Sequence, residues 1–550
     1  MAAILSALDS TTTTSTNTTA TTTRTTSACQ KLVPQCCSLA CFHDGISQSS
    51  LGRSKSSVSE INNNNNSNNN SNHNMTDCNV EIPGTSQRRF RHSRENVADH
   101  YRMRLVVPLL LRWSMLAVVL VLLRGRNLAM VMVNHRPTYQ SVGSIPQLWL
   151  VKDIRKTVLK DKHPWLFDRA VRGTPDVPAG GVVGVAWKKE TLAFGFYDPT
   201  SPLRVRLLSW PKDGEAHPED QRWLRQRSDD AAARRQGDSL LRCCTGVRLL
   251  NGEGDWMPGI VLDAYGSTGV VAFDGEAAEA FWRPRLPDIL AAFAAAGFVL
   301  SGVLKKGGGE LVWGTPPPEG SAVFEENDVK YEVDVRRGHK TGFFLDQREN
   351  RRLLRKMAAG KEVLDLFSYT GGFAVAAALG GASRTVAVDA AGPAVRACRR
   401  NYELNGLQAE VIEKGQGLGL STSQHQLYVA DCWEFLDEAC RRGDSYDIVV
   451  VDPPSMAPKE QLRNKALKAY IGLNKGALKI LRPGGLMISC SCSSHVTRGD
   501  LLQVVQEAAR QAGRAVEIEA EGSAGSDHPA RRGFPEGDYL QALYVRVLSS

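Results

Sequence analysis

The chain has 550 residues, more than one hydrophobic core usually serves, so we expect two or three domains. Its 42% hydrophobic content excludes a chain that is disordered throughout. The net charge of +9 is poor support for nucleic-acid binding, because residues 1–147 carry a surplus of +7 and the other 403 residues only +2. The 12 cysteines lack the spacing of a secreted disulfide scaffold and of a paired-CxxC metal site, which favours a reducing compartment and no metal.

Residues 1–147 form a predicted low-complexity extension. The runs at 11–27 and 61–72 are almost wholly Ser, Thr and Asn, so they cannot bury enough apolar surface to offset the ordering entropy. The first 59 residues contain two acidic groups in a Ser/Thr-rich background, which is typical of an organelle transit peptide. Because arginine is sparse near the start, we expect the chloroplast. A mitochondrial transit peptide, or a disordered tail on a cytoplasmic protein, is the alternative.

One hydrophobic stretch, residues 105–123, lies inside this extension. Its 19 residues are enough to span a bilayer. Arg112 near its middle would cost about 2.5–3.5 kcal/mol on insertion, and Pro108 would kink a helix. These two residues argue against a membrane span.

The composition and patterning of the sequence change at about Leu148. Short apolar strands with Gly, Pro and Asp turns predict a small β-rich module that ends near Trp210, followed by a charged helix. A mixed α+β unit covers residues 233–338. From residue 339 onward strands and helices alternate, which predicts an α/β domain with a parallel sheet and helices on both faces.

The first strand–turn–helix of this α/β domain predicts a nucleoside site. Gly371 and Gly372 let the backbone approach a ligand at a helix N-terminus. The next strand ends in Asp389, 24 positions after Asp365, where a carboxylate suits a ribose diol. The turn is neither GxGxxG nor a phosphate loop, so the pattern favours S-adenosylmethionine over NAD or ATP.

Three further strands of this domain end in functional side chains. Asp431 follows the third strand and could accept from an adenine amine, and Asp452 opens a Pro-Pro turn after the fourth. The fifth strand carries Cys490 and Cys492 toward the same carboxyl edge, where such folds bind ligands. Each aspartate could instead cap a helix. Because several strands in turn end in such residues, helix capping is a weaker explanation for all of them together than for each one.

Several long motifs occur in order: HKTGFFLDQRENR (339–351), VLDLFSYTGGFAV (363–375), VVVDPPS (449–455), SCSSHV (491–496) and DHPARRGFPEGDYLQ (527–541). Together they resemble the bacterial large-subunit rRNA 5-methylcytosine methyltransferase family, from about residue 148 to the end. The resemblance implies an N-terminal RNA-binding PUA-like domain (148–232), a small middle α+β domain (233–338) and a Rossmann-like class I methyltransferase domain (339–550).

The two cysteines of ISCSCSSHV decide which chemistry is expected. A metal site is weakly supported because no second Cys/His pair lies nearby in the sequence, and a disulfide between positions i and i+2 is geometrically poor. Packing remains an alternative, above all for Cys490 inside the strand. A thiolate that adds to C6 of cytosine makes C5 nucleophilic enough to take a methyl group. By the resemblance, Cys492 matches the family nucleophile and Asp452 contacts the N3/N4 edge of the cytosine.

The remaining expected contacts follow from the same patterns. Gln347 and Arg348 lie in a segment that resembles the family's cofactor lid, and Arg348 could contact the cofactor, an RNA phosphate or only a salt bridge. A local basic run near Trp165 predicts RNA backbone contacts, with a solvated face over an aromatic core as the alternative; it consists of Lys152, Arg155, Lys156, Lys160 and Lys162. The expected cofactor-binding residues are Asp365, Phe367, Ser368, Thr370, Gly371, Asp389, Asp431, Asp452 and Gln347.

We therefore predict an S-adenosylmethionine-dependent methyltransferase that forms 5-methylcytosine in large-subunit rRNA through a Cys–C6 adduct. A guanine-N7 methyltransferase of the same fold, which needs no thiol, is one alternative. A non-catalytic RNA-binding assembly factor is another. The expected partner is rRNA or a ribosome-assembly intermediate, and a homodimer is left open.

Overall fold

The computed structural model describes residues 145–317, 321–417, 421–457 and 459–549. The predicted targeting extension, with its hydrophobic stretch at 105–123, therefore lies outside the described residues apart from its last three positions. Within the described ranges, no helix is long and apolar enough to cross a membrane.

The N-terminal domain is a six-stranded sheet in the order β2-β6-β5-β4-β1-β3. A short π-helical turn, Lys156–Asp161, follows β1. Trp210 closes the module as predicted, since its buried indole Nε1 donates to Val158 O at 2.7 Å. The strands are β1 (Gln147–Leu150), β2 (Trp165–Phe167), β3 (Val171–Arg172), β4 (Val182–Trp187), β5 (Glu190–Tyr197) and β6 (Leu203–Ser209).

The middle domain is a five-stranded sheet in the order β11-β10-β9-β8-β7, with three helices. The first helix begins after Asp220, whose side chain accepts from the Arg222 amide and caps it. The strands are β7 (Gly246–Asn251), β8 (Ile260–Tyr265), β9 (Thr268–Phe273), β10 (Gly302–Lys305) and β11 (Glu310–Gly314). The helices are α1 (Gln221–Gly237), α2 (Glu276–Trp282) and α3 (Leu286–Ala295).

One predicted domain boundary falls inside a helix, and one hairpin assigned to the middle domain packs on two domains. The boundary at residue 232 cuts through α1, whose Trp223 and Ala231 are buried in one core with Val247 of the middle sheet. The hairpin β12 (Ser321–Glu326) and β13 (Val329–Asp334) was assigned to the middle domain. It also packs on the C-terminal domain, because Phe324 and Tyr331 share a core with Ala374. Local patterns could not show which sheet each element covers.

The C-terminal domain contains an eight-stranded sheet in the order β16-β17-β15-β14-β18-β19-β21-β20. All pairs are parallel except those that β21 makes with β19 and β20, which are antiparallel. The strands are β14 (Glu362–Leu366), β15 (Arg384–Asp389), β16 (Glu410–Ile412), β17 (His425–Val429), β18 (Tyr446–Val451), β19 (Leu481–Ser491), β20 (Val516–Gly522) and β21 (Gln541–Val547). The strand order reverses at β14, and such a switch point opens a crevice at the carboxyl ends.

Six helices cover the two faces of this sheet, as the alternating pattern predicted. Alternate residues of one strand enter different cores: Val449 packs with α7–α9 and Val450 with α4 and α5. The strands are buried on both faces, which explains their continuous apolar runs. The helices are α4 (Arg348–Met357), α5 (Gly372–Leu379), α6 (Gly392–Leu404), α7 (Cys432–Arg442), α8 (Arg463–Lys479) and α9 (Arg498–Ala512).

Candidate active site

The turn between β14 and α5 lies at the switch point of the sheet. Phe367, Tyr369 and Gly371 all have positive φ, at 61°, 50° and 81°. A Cβ at Gly371 would lie 2.2 Å from Cys398 Sγ, so glycine is required there. The result is a tight turn that directs backbone and small polar side chains to one point in front of α5.

Three polar atoms in and beside this turn have no hydrogen-bond partner among the described residues. Asp365 Oδ2 accepts from the Ala374 amide at 3.0 Å. Its other oxygen, with Ser368 Oγ and Thr370 Oγ1, is buried without a hydrogen bond to any described residue. Burial raises the pKa of Asp365 well above its usual value. Because an unsatisfied buried polar atom costs roughly 1–3 kcal/mol, this arrangement indicates that a polar ligand completes it.

Asp389 ends β15 and Asp431 lies just beyond β17, and the two carboxylates make different contacts. Asp389 accepts from the amides of Tyr369 and Ala391, both at 2.8 Å, and thereby fixes the turn beside it. Burial raises its pKa, and these two amides oppose the rise. Asp431 is exposed and caps α7 through the Trp433 amide at 2.8 Å. The capping alternative therefore describes what Asp431 does in this structure.

The segment 339–347 folds over the turn. Tyr369 lies edge-on to both His339 and Phe344, with ring centroids 5.2 and 5.4 Å away. The Tyr369 hydroxyl accepts from the His339 amide at 3.1 Å. Gln347, which is 2% exposed, contributes a hydrogen bond to Asp452. The segment predicted to act as a cofactor lid therefore reaches from the glycine turn to the Pro-Pro turn.

Asp452 is half-buried at the end of β18. Burial raises its pKa to about 7 and the nearby Asp346 carboxylate adds to the rise, whereas Lys340 and the Gln347 hydrogen bond oppose it. Near neutral pH this carboxyl is therefore shared between its acid and its carboxylate forms. It can donate a proton in a hydrogen bond, which an ordinary aspartate cannot do.

The two cysteines of the fifth strand occupy different environments. Cys490 is fully buried in β19, packs in the core with Ile488 and Tyr544, and has its pKa raised by burial. Cys492 lies one residue beyond the strand, is half-buried, and has its Sγ 3.8 Å from Pro453 O. The Cys492 side chain therefore lies against the turn that Asp452 opens.

Serine side chains connect the turn after Asp452 with the segment that carries Cys492. Ser455 Oγ lies 3.0 Å from Ser493 Oγ, and the Ala457 amide donates to the same Ser493 oxygen at 3.4 Å. On the other side, Ser491 Oγ donates to the Tyr470 hydroxyl at 3.2 Å. These contacts fix the residues on either side of Cys492, so the thiol has a defined position next to Asp452.

Comparisons with known proteins identify this arrangement. The sequence model of the S-adenosylmethionine-dependent methyltransferase family matches residues 305–524, and that of the PUA-like domain matches 150–210. A ribosomal RNA large subunit methyltransferase of Deinococcus radiodurans is 35% identical over 430 residues, which cover 74% of this chain and 98% of the relative. Ribosomal RNA large subunit methyltransferase I of Aeromonas hydrophila is 34% identical, covering 73% and 99%. The chain belongs to this methyltransferase family.

The fold agrees with that assignment. A solved methyltransferase in complex with SAH superposes with a TM-score of 0.61 at 24% identity, covering 73% of this chain and all of the other. A SAM-dependent methyltransferase from Streptococcus mutans gives a TM-score of 0.60. The predicted PUA-like, middle and Rossmann-like domains are therefore confirmed as an architecture.

The cofactor of this family is S-adenosylmethionine, and the residues at the switch point fit it. Asp389 stands where a ribose diol can donate to a carboxylate. The unpartnered atoms of Asp365, Ser368 and Thr370 supply acceptors and donors beside it. Among the described residues, no group of three His, Cys, Asp or Glu side chains lies close enough together to hold a metal ion.

The prediction that Arg348 contacts RNA is wrong. Its side chain is fully buried, with Nη2 2.8 Å from Asp527 Oδ2 and 2.7 Å from Gly246 O. An arginine in that position cannot reach an RNA phosphate without leaving its ion pair. The salt-bridge alternative is correct: the ion pair lies within the methyltransferase domain, and the hydrogen bond to Gly246 O joins that domain to the middle domain.

The basic run of the PUA-like domain divides into two kinds of residue. Lys152, Arg155 and Lys156 are exposed, and Arg155 is paired with Asp153 at 2.8 Å. Lys162 instead lies 2.5 Å from Asp213 and over the Trp210 ring at 5.2 Å. Lys162 therefore holds the base of its domain together and is a poor candidate for RNA contact.

Sequence reasoning missed three residues at the site. Lys340 Nζ and the Tyr539 hydroxyl both bond Asp346 Oδ2, at 2.5 and 2.8 Å. Lys340 and Asp346 lie in the lid motif and Tyr539 in the C-terminal motif, so the motifs signalled their importance. Their meeting could not be foreseen, because 193 positions separate Asp346 from Tyr539.

Proposed function

We propose that this protein methylates C5 of a cytosine in large-subunit rRNA, with Cys492 as the nucleophile. Its relatives are named ribosomal RNA large subunit methyltransferases, and it matches nearly their full length. The observation that carries the proposal is the Cys492 thiol 3.8 Å from the carbonyl of the residue after Asp452. A guanine-N7 methyltransferase would need no thiol there.

Cys492 supplies what C5 of cytosine lacks. C5 is a poor nucleophile, and addition of the thiolate to C6 converts the C5–C6 bond into an enamine-like system. Bound S-adenosylmethionine supplies the methyl group that C5 receives. Loss of the C5 proton to a base then lets the C6–sulfur bond break, which returns the thiolate and leaves 5-methylcytosine.

Asp452 supports this addition from the opposite edge of the ring. In its acid form it donates a hydrogen bond to N3, so the ring accepts electron density as sulfur adds to C6. Burial and Asp346 keep that form available near neutral pH by raising the pKa of Asp452 to about 7. A cytosine within structured RNA must be unstacked to reach this site.

The test is bisulfite sequencing of cytosolic and organellar rRNA, with and without the protein. We expect one protected cytosine in large-subunit rRNA that is lost without it. Purified protein with Cys492→Ala should lose methyl transfer by about 10³-fold or more, and Cys490→Ala should keep most of it. Full transfer of methyl groups to rRNA by the Cys492→Ala protein would exclude the covalent route, and such transfer without a protected cytosine would favour the guanine-N7 alternative.

The cellular setting is a further part of this proposal. The acid-poor, Ser/Thr-rich start of the chain supports import into the chloroplast. A fluorescent fusion to residues 1–147 tests it, and cytosolic fluorescence would contradict it. The proposed partner is rRNA or a ribosome-assembly intermediate. Light scattering of the purified protein distinguishes a monomer from a homodimer.

A further inference from the structure

Asp346 has one carboxylate oxygen that the protein leaves open. The residue is 1% exposed and lies in the short turn Leu345–Gln347 that precedes α4. Both of its strong contacts, from Lys340 Nζ at 2.5 Å and the Tyr539 hydroxyl at 2.8 Å, reach Oδ2. Oδ1 is buried without a hydrogen-bond partner anywhere in the described part of the chain.

Asp346 is connected to residues of the proposed catalytic site. Asp346 adjoins Gln347, whose side chain bonds Asp452, and the Asp346 charge acts directly on the Asp452 carboxyl. Tyr539, which holds Asp346 in place, also lies within electrostatic range of Cys492. Asp346 is therefore connected to Asp452 through its neighbour Gln347 and to the surroundings of Cys492 through Tyr539, although these residues lie far apart in the sequence.

The two neighbouring carboxyls hold their protons differently. Burial opposes ionisation of Asp346, but Lys340 and Tyr539 outweigh it and lower its pKa, so Asp346 stays a carboxylate. Burial and Asp346 itself raise the pKa of Asp452 to about 7. Environments that separate the pKa values of two adjacent carboxyls assign them different roles, here one acceptor and one donor.

A donor beside an acceptor matches the edge of cytosine and not that of uracil. Cytosine presents N3 as an acceptor and its 4-amino group as a donor, whereas uracil presents an N3–H donor and an O4 acceptor. We propose that Asp346 Oδ1 accepts a hydrogen bond from the 4-amino group of the target cytosine and so selects cytosine over uracil. The inference rests on the proposed function and names a specificity-determining residue for it.

The same oxygen could instead receive another amine. The α-ammonium group of S-adenosylmethionine offers the same N–H donors, and the lid segment contacts both the turn at Tyr369 and Asp452. The two sources differ in what a loss of the carboxylate should change. Loss of a cytosine contact alters the choice of base, whereas loss of a cofactor contact alters cofactor affinity.

The experiment measures transfer of labelled methyl to two transcripts of the rRNA segment, identical except for cytosine or uracil at the position mapped by bisulfite. We expect the wild-type protein to prefer cytosine by roughly 10³-fold or more. Asp346→Asn should slow transfer to cytosine about 100-fold and lower the cytosine-to-uracil ratio at least about tenfold, because an amide can also donate to O4. Its affinity for S-adenosylmethionine, measured by calorimetry without RNA, should stay within about threefold.

Tyr539→Phe is the matched control. It removes one hydrogen bond to Oδ2 and leaves the Oδ1 acceptor, so it should slow both transcripts alike and keep the ratio within about twofold. If Asp346→Asn does not fold, as judged by its thermal unfolding, Asp346→Glu replaces it; a longer carboxylate should slow transfer and preserve the ratio.

Three results overturn the inference. The first is an Asp346→Asn protein, active on cytosine, whose ratio is unchanged. The second is a more than tenfold loss of S-adenosylmethionine affinity with an unchanged ratio, which assigns the oxygen to the cofactor. The third is an Asp346→Glu protein that accepts uracil. A wild-type protein that methylates neither transcript refutes the proposed function itself, and the inference with it.

Discussion

Buried carboxylates in two regions of this protein are satisfied to different degrees. At the contact between the middle and methyltransferase domains, Asp527 uses both oxygens: Oδ2 accepts from Arg348 and from the Arg248 amide, and Oδ1 pairs with His528, all at 2.8 Å. At the carboxyl edge of the large sheet, Asp365 and Asp346 each keep one oxygen without a partner among the described residues. A carboxylate whose two oxygens are both hydrogen-bonded within the protein holds the domains together here, and one with an unpartnered oxygen marks where a ligand binds.

The domain contact can be broken directly. Asp527→Ala leaves the fully buried Arg348 guanidinium without its main partner, and loss of one member of a buried pair costs about 3–5 kcal/mol. We expect the free energy of the first unfolding transition in urea, followed by tryptophan fluorescence, to fall by that amount. Asp527→Asn keeps hydrogen-bonding atoms and should lose less. An unchanged transition in Asp527→Ala would show that this contact does not hold the domains.

The ligand side of the comparison is tested at Asp389. Asp389→Ala removes a carboxylate whose hydrogen bonds to a ribose would contribute about 1.5–3 kcal/mol, so affinity for S-adenosylmethionine should fall about 10- to 100-fold. Calorimetry measures the affinity. Asp431→Ser, which keeps a helix cap but removes the carboxylate, is the matched variant at the next strand. Equal affinity in wild-type and Asp389→Ala proteins would contradict the assignment of this edge.

The pH dependence sharpens the roles of the incomplete carboxyls. The acid form of Asp452 is complete below its pKa of about 7 and disappears above it. The groups acting on it are Asp346, which favours the acid form, and Lys340, Gln347 and Arg351, which oppose it. The methyl-transfer rate of the wild-type protein, divided by the rate of Asp452→Asn so that the ionisation of Cys492 cancels, should therefore fall about tenfold per pH unit well above 7. Asp452→Asn is the reference because its amide does not ionise.

Stability should follow the same group with the same sign. Since the folded pKa of Asp452 is raised above the usual 3.8, its contribution is complete below pH 3.8 and is lost as the pH rises through about 7. At pH 8, Asp452→Asn should therefore be more stable than the wild-type protein. Thermal unfolding of both proteins at pH 5 and pH 8 measures this difference in stability. The prediction is wrong if the stability of Asp452→Asn relative to the wild-type protein is lower at pH 8 than at pH 5.

The smallest effect is expected on the PUA-like domain. Exposed Lys156→Ala should weaken RNA binding a few-fold and reduce the salt dependence by about one phosphate contact. Lys162→Ala should mainly lower stability, because Lys162 is paired with Asp213 and packed over Trp210. Filter binding at two salt concentrations distinguishes them. Equal losses of RNA affinity in both variants would show that Lys162 also contacts RNA.

The sequence predicted the site best where residues end strands. Asp365 and Asp389 lie at the carboxyl ends of β14 and β15, and Asp452 and Cys492 directly follow β18 and β19. These four strands are neighbours and parallel in the sheet, so their carboxyl ends meet at one edge. That rule needs no knowledge of distant contacts. The choice of Cys492 over Cys490 came from the resemblance to the methyltransferase family, and it stays a prediction that the two alanine variants test.

Charged side chains were predicted less well, since their role depends on what approaches from elsewhere in the chain. Arg348 was placed among RNA contacts because sequence shows its charge but not Asp527, 179 positions away. The edge of α1 and the packing of the β12–β13 hairpin were obscured for the same reason.

The sequence by itself therefore determined the order of domains and the cofactor edge, because strand periodicity and motif spacing are local. The tertiary structure alone decided which carboxylates have both oxygens hydrogen-bonded and which keep one oxygen without a partner among the described residues. Hydrogen bonds such as that from Tyr539 to Asp346 join segments far apart in the chain, and only folding brings their atoms within bonding distance.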